Sequence, residues 1–488
     1  MAKGWTNSIT GGASGGIPTS TCTNIVATKG NGQCTLTWDD PPASETVHGV
    51  DIVWKSTTVR YKAGSAPTSA TDGTLVVTET TRNQYSSSPL TISGLTNGVT
   101  YYISVFPKAE SGAINTEATQ IISVTPSAAS IWTVKIDQSN SNPLSCCTYA
   151  DAAVNMTKGS SEWDDIFGYK PCIMQNGTVV GYLNPNDFSK YTDGSSAPIT
   201  DTNYDVMIEF PRMGLDITTS GDIITVRLTD ATDDSNFQYR AHKRGSTSKD
   251  YFYLGAYSMT GSSSKVGSNS GKSPLTNVSI ANFITYAHNR GTGYEIMAFY
   301  QWTYIQALYV LKYGNLNSQS AVGMGYVGGS SAQTTGATNS NGMCYGSTST
   351  TSRVKLFGLE DLWGNVYQFI SGLYSDSSRN LLTTTDNFGT DTSTTTGAWE
   401  YSISSGVISD SGGYMNKTQG TNSGGFVGKA FSGSSTTYFS DNGSLYASYF
   451  PNVGGDWDDG VFAGVFCCYV DSSASDAYAV VGARLMYL

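Results

Sequence analysis

The chain has 488 residues, with 27 Lys+Arg against 38 Asp+Glu and a net charge of −11. That length suits two or three domains with their own cores, and the charge excludes a surface built to track nucleic-acid phosphates. Charged residues are only 13% of the chain while Gly (54) and Tyr (31) abound, a palette shared by antibody loops and by turn-rich β-proteins of the extracellular kind.

The first residues, MAKGWTNSITGGASGG, contain no apolar run, so they are not read as a signal peptide. No stretch approaches the ~20 apolar residues that span a bilayer. Synthesis in a cytoplasm and no membrane partner are therefore expected. Eight cysteines in this length do not make a disulfide scaffold, and all are expected to be reduced.

Residues 1–17 are rich in Gly, Ser and Thr and read as a flexible arm or attachment segment. From 18 to 127 short alternating strands separated by turn signals predict an all-β sandwich. Thr35–Trp38 alternates and stops at Asp39-Asp40-Pro41-Pro42, and Val50–Trp54 and Arg60–Ala63 read as two further strands. Leu95, Gly98 and Tyr101 have the spacing of a tyrosine corner, with Trp38 as the core aromatic. Together these residues resemble a fibronectin type III domain. A spacer or docking role is the expectation there, ahead of adhesion.

Ala128–Ser130 reads as a hinge, followed by a β-rich part from 132 to 260 in which Val206–Phe210 and Ile223–Leu228 alternate as strands. Two helices are predicted next. Ser279 caps the first, with Ile280, Phe283, Ile284 and Ala287 on one face and Gly291 as its stop. The second, Ala298 to Tyr313, carries Phe299, Trp302, Ile305, Leu308, Tyr309 and Lys312 at helical spacing, and Gly314 ends it. Residues 317–352 and Ser375–Thr396 are polar and predict long loops. Between them lies Leu356-Phe-Gly-Leu-Glu-Asp-Leu-Trp363-Gly364-Asn365-Val-Tyr-Gln-Phe369.

The last stretch, 454–485, mixes two kinds of position. Gly454, Gly455, Trp457, Gly460, Ala463, Gly464, Val465, Phe466, Gly482, Ala483, Arg484 and Leu485 make a frame of mostly small and apolar residues. Between them stand Asp456, Asp458, Asp459, Phe462, Cys467, Tyr469, Asp471, Asp476, Tyr478 and Val480, which fit neither strand alternation nor a catalytic loop. They fit asparagine codons whose two adenines have been replaced. Such codons give Asp, Phe, Tyr, Cys, Val, Ala and Ser but never Lys, Glu, Gln, Met or Trp. None of Lys, Glu, Gln or Met occurs between Asp456 and Val480, and the Trp457 codon holds no adenine to replace.

GGDWDDG, AGVF and VVGARLMYL, taken with this codon reading, resemble the variable region of proteins diversified by retroelements, such as phage tropism determinants. The segment 356–369 is similar to the GLxDLxGNVxEW signature that those proteins share with formylglycine-generating enzymes. Val134-Lys-Ile-Asp137, Trp163-Asp-Asp-Ile-Phe167, Lys170-Pro-Cys172, Gly181–Asp187, Asp205–Pro211 and Tyr253–Tyr257 resemble tail and fibre proteins from phages of gut Firmicutes.

The resemblance implies an α+β C-type-lectin-like domain over 261–488, following the sandwich, that shows its variable side chains to a host receptor, protein or glycan. It implies a scaffold role for Trp363, Gly364, Asn365, Gly454, Gly455, Trp457, Gly482 and Arg484. It also implies a place on the virion's tail or head fibre, contacts with other virion proteins through the N-terminal region, and a homo-oligomer, expected to be a trimer. The competing expectation is a structural virion protein, a decoration or baseplate component, using the same face for assembly.

Enzyme chemistry finds little support in the residues. His48, His242 and His288 fall in separate sections, and no HxxxH, CxxC or Walker pattern occurs. Cys467-Cys468 evokes the catalytic thiols of formylglycine-generating enzymes, but adjacent cysteines cannot reproduce two thiols brought together from separated positions. Asp456-Trp-Asp458-Asp459 and Asp230 with Asp233-Asp234 begin like calcium loops without the bidentate acid that completes one. No catalytic residue, metal or cofactor is expected.

Overall fold

The computed structural model describes residues 16–385 and 399–488. Most of the predicted arm 1–17 and the latter part of the predicted loop 375–396 lie outside them. The chain is mostly β and divides into two compact units, 1–129 and 130–488.

In the first unit Thr23–Gly30, Gln33–Asp39 and Leu90–Ser93 form one antiparallel sheet. Ser44–Val47, Val50–Ala63, Tyr101–Ala109 and Ile121–Val124 form a second, with Thr74–Glu79 also paired to Val50–Ala63. Alternation along Gln33–Asp39 turns Cys34, Leu36 and Trp38 inward, where they share a core with Val59, Ile103 and Val105 of the other sheet. The Trp38 indole donates to Asp40 Oδ1 at 2.9 Å, and the Tyr101 hydroxyl accepts the Thr96 backbone N–H at 3.1 Å. The two strands expected at 50–54 and 60–63 are one, Val50–Ala63, with a register shift between Trp54 and Ser56. A bulge accommodates one misfit residue without ending the ladder.

The second unit is built around the helix Phe299–Tyr313. Gly314, at φ 50°, ends it in the left-handed conformation with its N–H on Val310 O. The apolar stripe predicted an amphipathic helix, whereas every residue from Phe299 to Lys312 is buried. Sheets and loops enclose it on all sides. Some of its polar side chains find internal partners, as where Gln306 donates to Val465 O at 3.0 Å and Lys312 pairs with Asp164, while the Trp302 indole N–H and the Tyr304 and Tyr309 hydroxyls are buried without one among the described residues. The shorter helix Ile280–Arg290 starts where Ser279 accepts the Asn282 N–H and buries Ile280, Phe283, Ile284 and Ala287.

Three sheets surround this core. The first runs Cys147–Asp151, Ile131–Asp137, Ile223–Thr229, Gly214–Ser220. The second has seven strands, among them Asp205–Pro211, Tyr251–Gly255, Leu485–Tyr487 and Tyr294–Ile296 as neighbours in that order. The third runs Ser411–Tyr414, Asn442–Leu445, Cys468–Ser472, Phe450–Val453, Tyr367–Phe369, Val481–Ala483. The separate parts expected at 132–260 and 261–488 are thus one unit. Leu485–Tyr487 pairs directly with Tyr251–Gly255, and one buried cluster spans both segments. Strand pairing between distant segments decides this boundary, and composition carries no signal of it.

Candidate binding face formed by the C-terminal segment

The last two strands belong to different sheets, and Arg484 is the single residue between them. Its fully buried guanidinium donates to Gln368 Oε1 at 2.8 Å, Gly255 O at 2.7 Å and Glu360 O at 2.6 Å. Burial pushes it down to about 10, still charged at neutral pH. One side chain thereby ties both sheets to the segment 356–369.

Within that segment Glu360 accepts the N–H groups of Gly336 and Thr338, each at 2.7 Å. Arg353 pairs with both Glu360 and Asp361, and Asn365 Nδ2 donates to Asp361 Oδ2 at 2.9 Å. Trp363 is fully buried with its indole N–H on Gly323 O. All these groups are internally paired, so the carboxylates hold loops together. Gly454, at φ 95°, needs glycine for a second reason, because a Cβ there would lie 2.6 Å from Leu362 O.

From this base the segment 456–480 emerges as turns around the strand Cys468–Ser472. The polar stretch 317–352 clamps the first turn: Gly329 N donates to Trp457 O at 2.6 Å, Gly460 N to Val327 O at 3.0 Å, and Gln319 Nε2 to Gly460 O at 2.8 Å. Beneath it Phe466 is fully buried against Tyr309, Phe426 and Phe439. Its N–H and that of Cys467 are received by the buried carboxylate of Asp441.

The ten candidate contact residues do not share one environment. Asp458, Phe462 and Tyr478 are exposed, the last two by 41% and 49%. Asp459, Tyr469, Asp471, Asp476 and Val480 are partly buried, as is Trp457 of the frame. Asp456 and Cys467 are 4% and 0% exposed. These two are corrected from contact residues to interior ones: Asp456 caps the turn by accepting the Asp458 N–H, and Cys467 is fully buried. Burial pushes the Cys468 thiol up to about 12 and raises that of Cys467 as well, which leaves both poor nucleophiles.

Neighbours outside the segment complete the surface. Tyr414 packs on Phe462 at 5.5 Å, Tyr367 meets Tyr469 edge-on at 5.9 Å, and Ser444 donates to Asp471 at 2.9 Å. The sequence held one hint of Tyr367, which lies within the 356–369 motif. Tyr414 and Ser444 carried none. The carboxyl of Asp456 is pushed up to about 7, first by burial and then by Asp459, and burial raises Asp459 and Asp471 as well. Among the described residues no group of three or more His, Cys, Asp or Glu is arranged to hold a metal ion. The histidines stay apart: His242 is fully buried and pushed down to about 3, and His288 contacts Glu295 at 2.8 Å.

No family model and no curated protein matches the chain. Among solved structures it is similar to the Major Tropism Determinant U1 variant, with 12% identity, 68% of this chain and 73% of that one covered, and a TM-score of 0.24. The M1 variant aligns at 12% identity over 78% and 80% of the two chains, and the I1 variant at 13% over the same shares, both with a TM-score of 0.24. These proteins bear the name of the group that the C-terminal sequence resembles. Superpositions this loose assign no role to any residue, so function has to be argued from the face itself.

Proposed function

We propose that this chain is a phage receptor-binding protein whose C-terminal face attaches the virion to a host cell-surface ligand. One observation carries the reading. A largely buried frame supports turns whose outer side chains, among them Asp458, Phe462, Asp476 and Tyr478, contribute little to the core. Such positions can change without loss of fold. Exposed aromatics beside adaptable polar groups are the chemistry of a binding surface, since a stiff ring costs little rotamer entropy on contact.

In this reading residues 18–127 are a fibronectin type III-like spacer and 261–488 carry a C-type-lectin-like binding face, its variable residues replaced through a retroelement. The protein acts as a homo-oligomer, expected to be a trimer, so that weak single contacts combine into avidity. Binding of the purified full chain to host cells, read by flow cytometry, tests the proposal. Loss of binding in Phe462→Ala and Tyr478→Ala with unchanged melting is the expected result. A chain that binds no cells but competes in virion assembly points to the structural-virion role instead.

A further inference from the structure

We infer that the core of the second unit binds a structural water molecule between the helix Phe299–Tyr313 and the turn Arg240–His242. The site is a cavity of about 10 Å³, close to the smallest that takes one water. Thr303 and Tyr304 of the helix and His242 of the turn line it, and each is at most 1% exposed. Among the described residues neither hydroxyl has a hydrogen-bond partner. The His242 ring lies against the backbone of Phe210 and Pro211, yet neither of its nitrogens makes a hydrogen bond of ordinary geometry. Three buried polar groups from two elements thus line one small space.

Their chemistry selects the occupant. A buried hydroxyl or imidazole nitrogen without a partner is costly, and a polar cavity of this size is where an internal water removes that cost. Burial pushes His242 down to about 3, so the ring is neutral and offers one donor and one acceptor nitrogen. Each hydroxyl can both donate and accept. A water molecule, with two donors and two acceptors, matches that mixture, whereas an ion of either sign uses only half of it. No carboxylate lines the cavity to hold a cation. Arg240 in the wall points Nη1 to Asn422 O at 2.7 Å and Ser423 Oγ at 2.9 Å and stacks 3.8 Å from the Tyr401 ring centre, so its charge serves the 422–423 loop. The same junction is tied directly where Gln301 Nε2 donates to Ala241 O at 2.5 Å, and the water completes it beside that bond. This inference stands apart from the adhesion reading, since the helix supports the fold whatever the outer face binds.

A crystal structure of the full chain, grown with sodium bromide, tests the site. One peak of water size within about 2.6–3.2 Å of the Tyr304 hydroxyl and of Thr303 Oγ1 or a His242 nitrogen is the expected result. Absence of such a peak overturns the inference, and so does an anomalous bromide signal there, which would make the site one for an anion. Urea unfolding gives a second reading that needs no crystal. Thr303→Val and Tyr304→Phe keep most of each side chain's shape and remove its hydroxyl. With a bound water each should lower the folding equilibrium constant about fivefold, because a hydrogen bond to the water is lost. Together they should lose less than the product of the two factors, because both act on one water. Single variants as stable as the wild type or more so overturn the inference, since removing an unbonded buried hydroxyl carries no such penalty. Fully multiplicative losses overturn the shared site.

Discussion

Asp456 shows how a residue that looks like a surface contact can set the stability of the surface instead. Its carboxyl, 4% exposed beside Asp459, is pushed up to about 7 by burial first and by its neighbour second. A carboxyl with a higher pKa folded than unfolded holds its proton more tightly in the fold. Its contribution is complete below the unfolded value of about 3.9 and is lost as pH rises through about 7. The turn should therefore lose stability between pH 4 and 8. Asp456→Asn, which keeps the acceptor for the Asp458 N–H, should flatten that dependence and stabilise the protein at pH 8 by on the order of 1–3 kcal/mol. Urea unfolding at a series of pH values measures it. Arg484 is the opposite case, a buried charge whose three guanidinium nitrogens all donate. Arg484→Leu strands three carbonyl or amide oxygens and should cost on the order of 3–5 kcal/mol, read in the same titration.

At the scale of elements, the division between frame and turn predicts a sharp contrast in tolerance. Gly454→Ala places a Cβ 2.6 Å from Leu362 O at φ 95°, so backbone must shift, and roughly 2–4 kcal/mol of stability should be lost. Tyr478→Ala, at a side chain 49% exposed, should stay within about 1 kcal/mol of the wild type. Thermal melts of the two variants side by side check the contrast, and equal losses would refute a frame that is separate from its load. Local elements such as the capped helix from Ile280 and the alternation into Trp38 were legible in the sequence, because capping and a two-residue period are set by near neighbours. The codon pattern picked out Asp456 and Cys467 with the exposed residues because it reports chemical variety and is blind to depth. The clamp of 317–352 on Trp457 and Gly460 was equally hidden, since a polar Gly-rich stretch reads as a free loop until its backbone donors find distant carbonyls.

At the scale of the molecule, the two units carry separate buried cores, one around Trp38, Leu36 and Val105 and the other around Phe299–Tyr313. The three large sheets of the second unit bring 131–137, 251–255 and 485–487 into one body, so its two ends cannot melt independently. No periodicity announces that closure, because it lies in the pairing of strands more than two hundred residues apart. It follows that calorimetry should resolve two transitions, with the second unit unfolding as one. Leu36→Ala should lower only the transition of the first unit, and Ile305→Ala only that of the second, each by a loss of roughly 2–5 kcal/mol from fully buried positions. Substitutions at the outer turn residues Asp458 and Phe462 should move neither. If Ile305→Ala instead split the second transition, the binding face would rest on a subdomain of its own. The face would then be free to change with the stability of that part alone, and the whole of 130–488 would no longer be the unit that sets how much variation it bears.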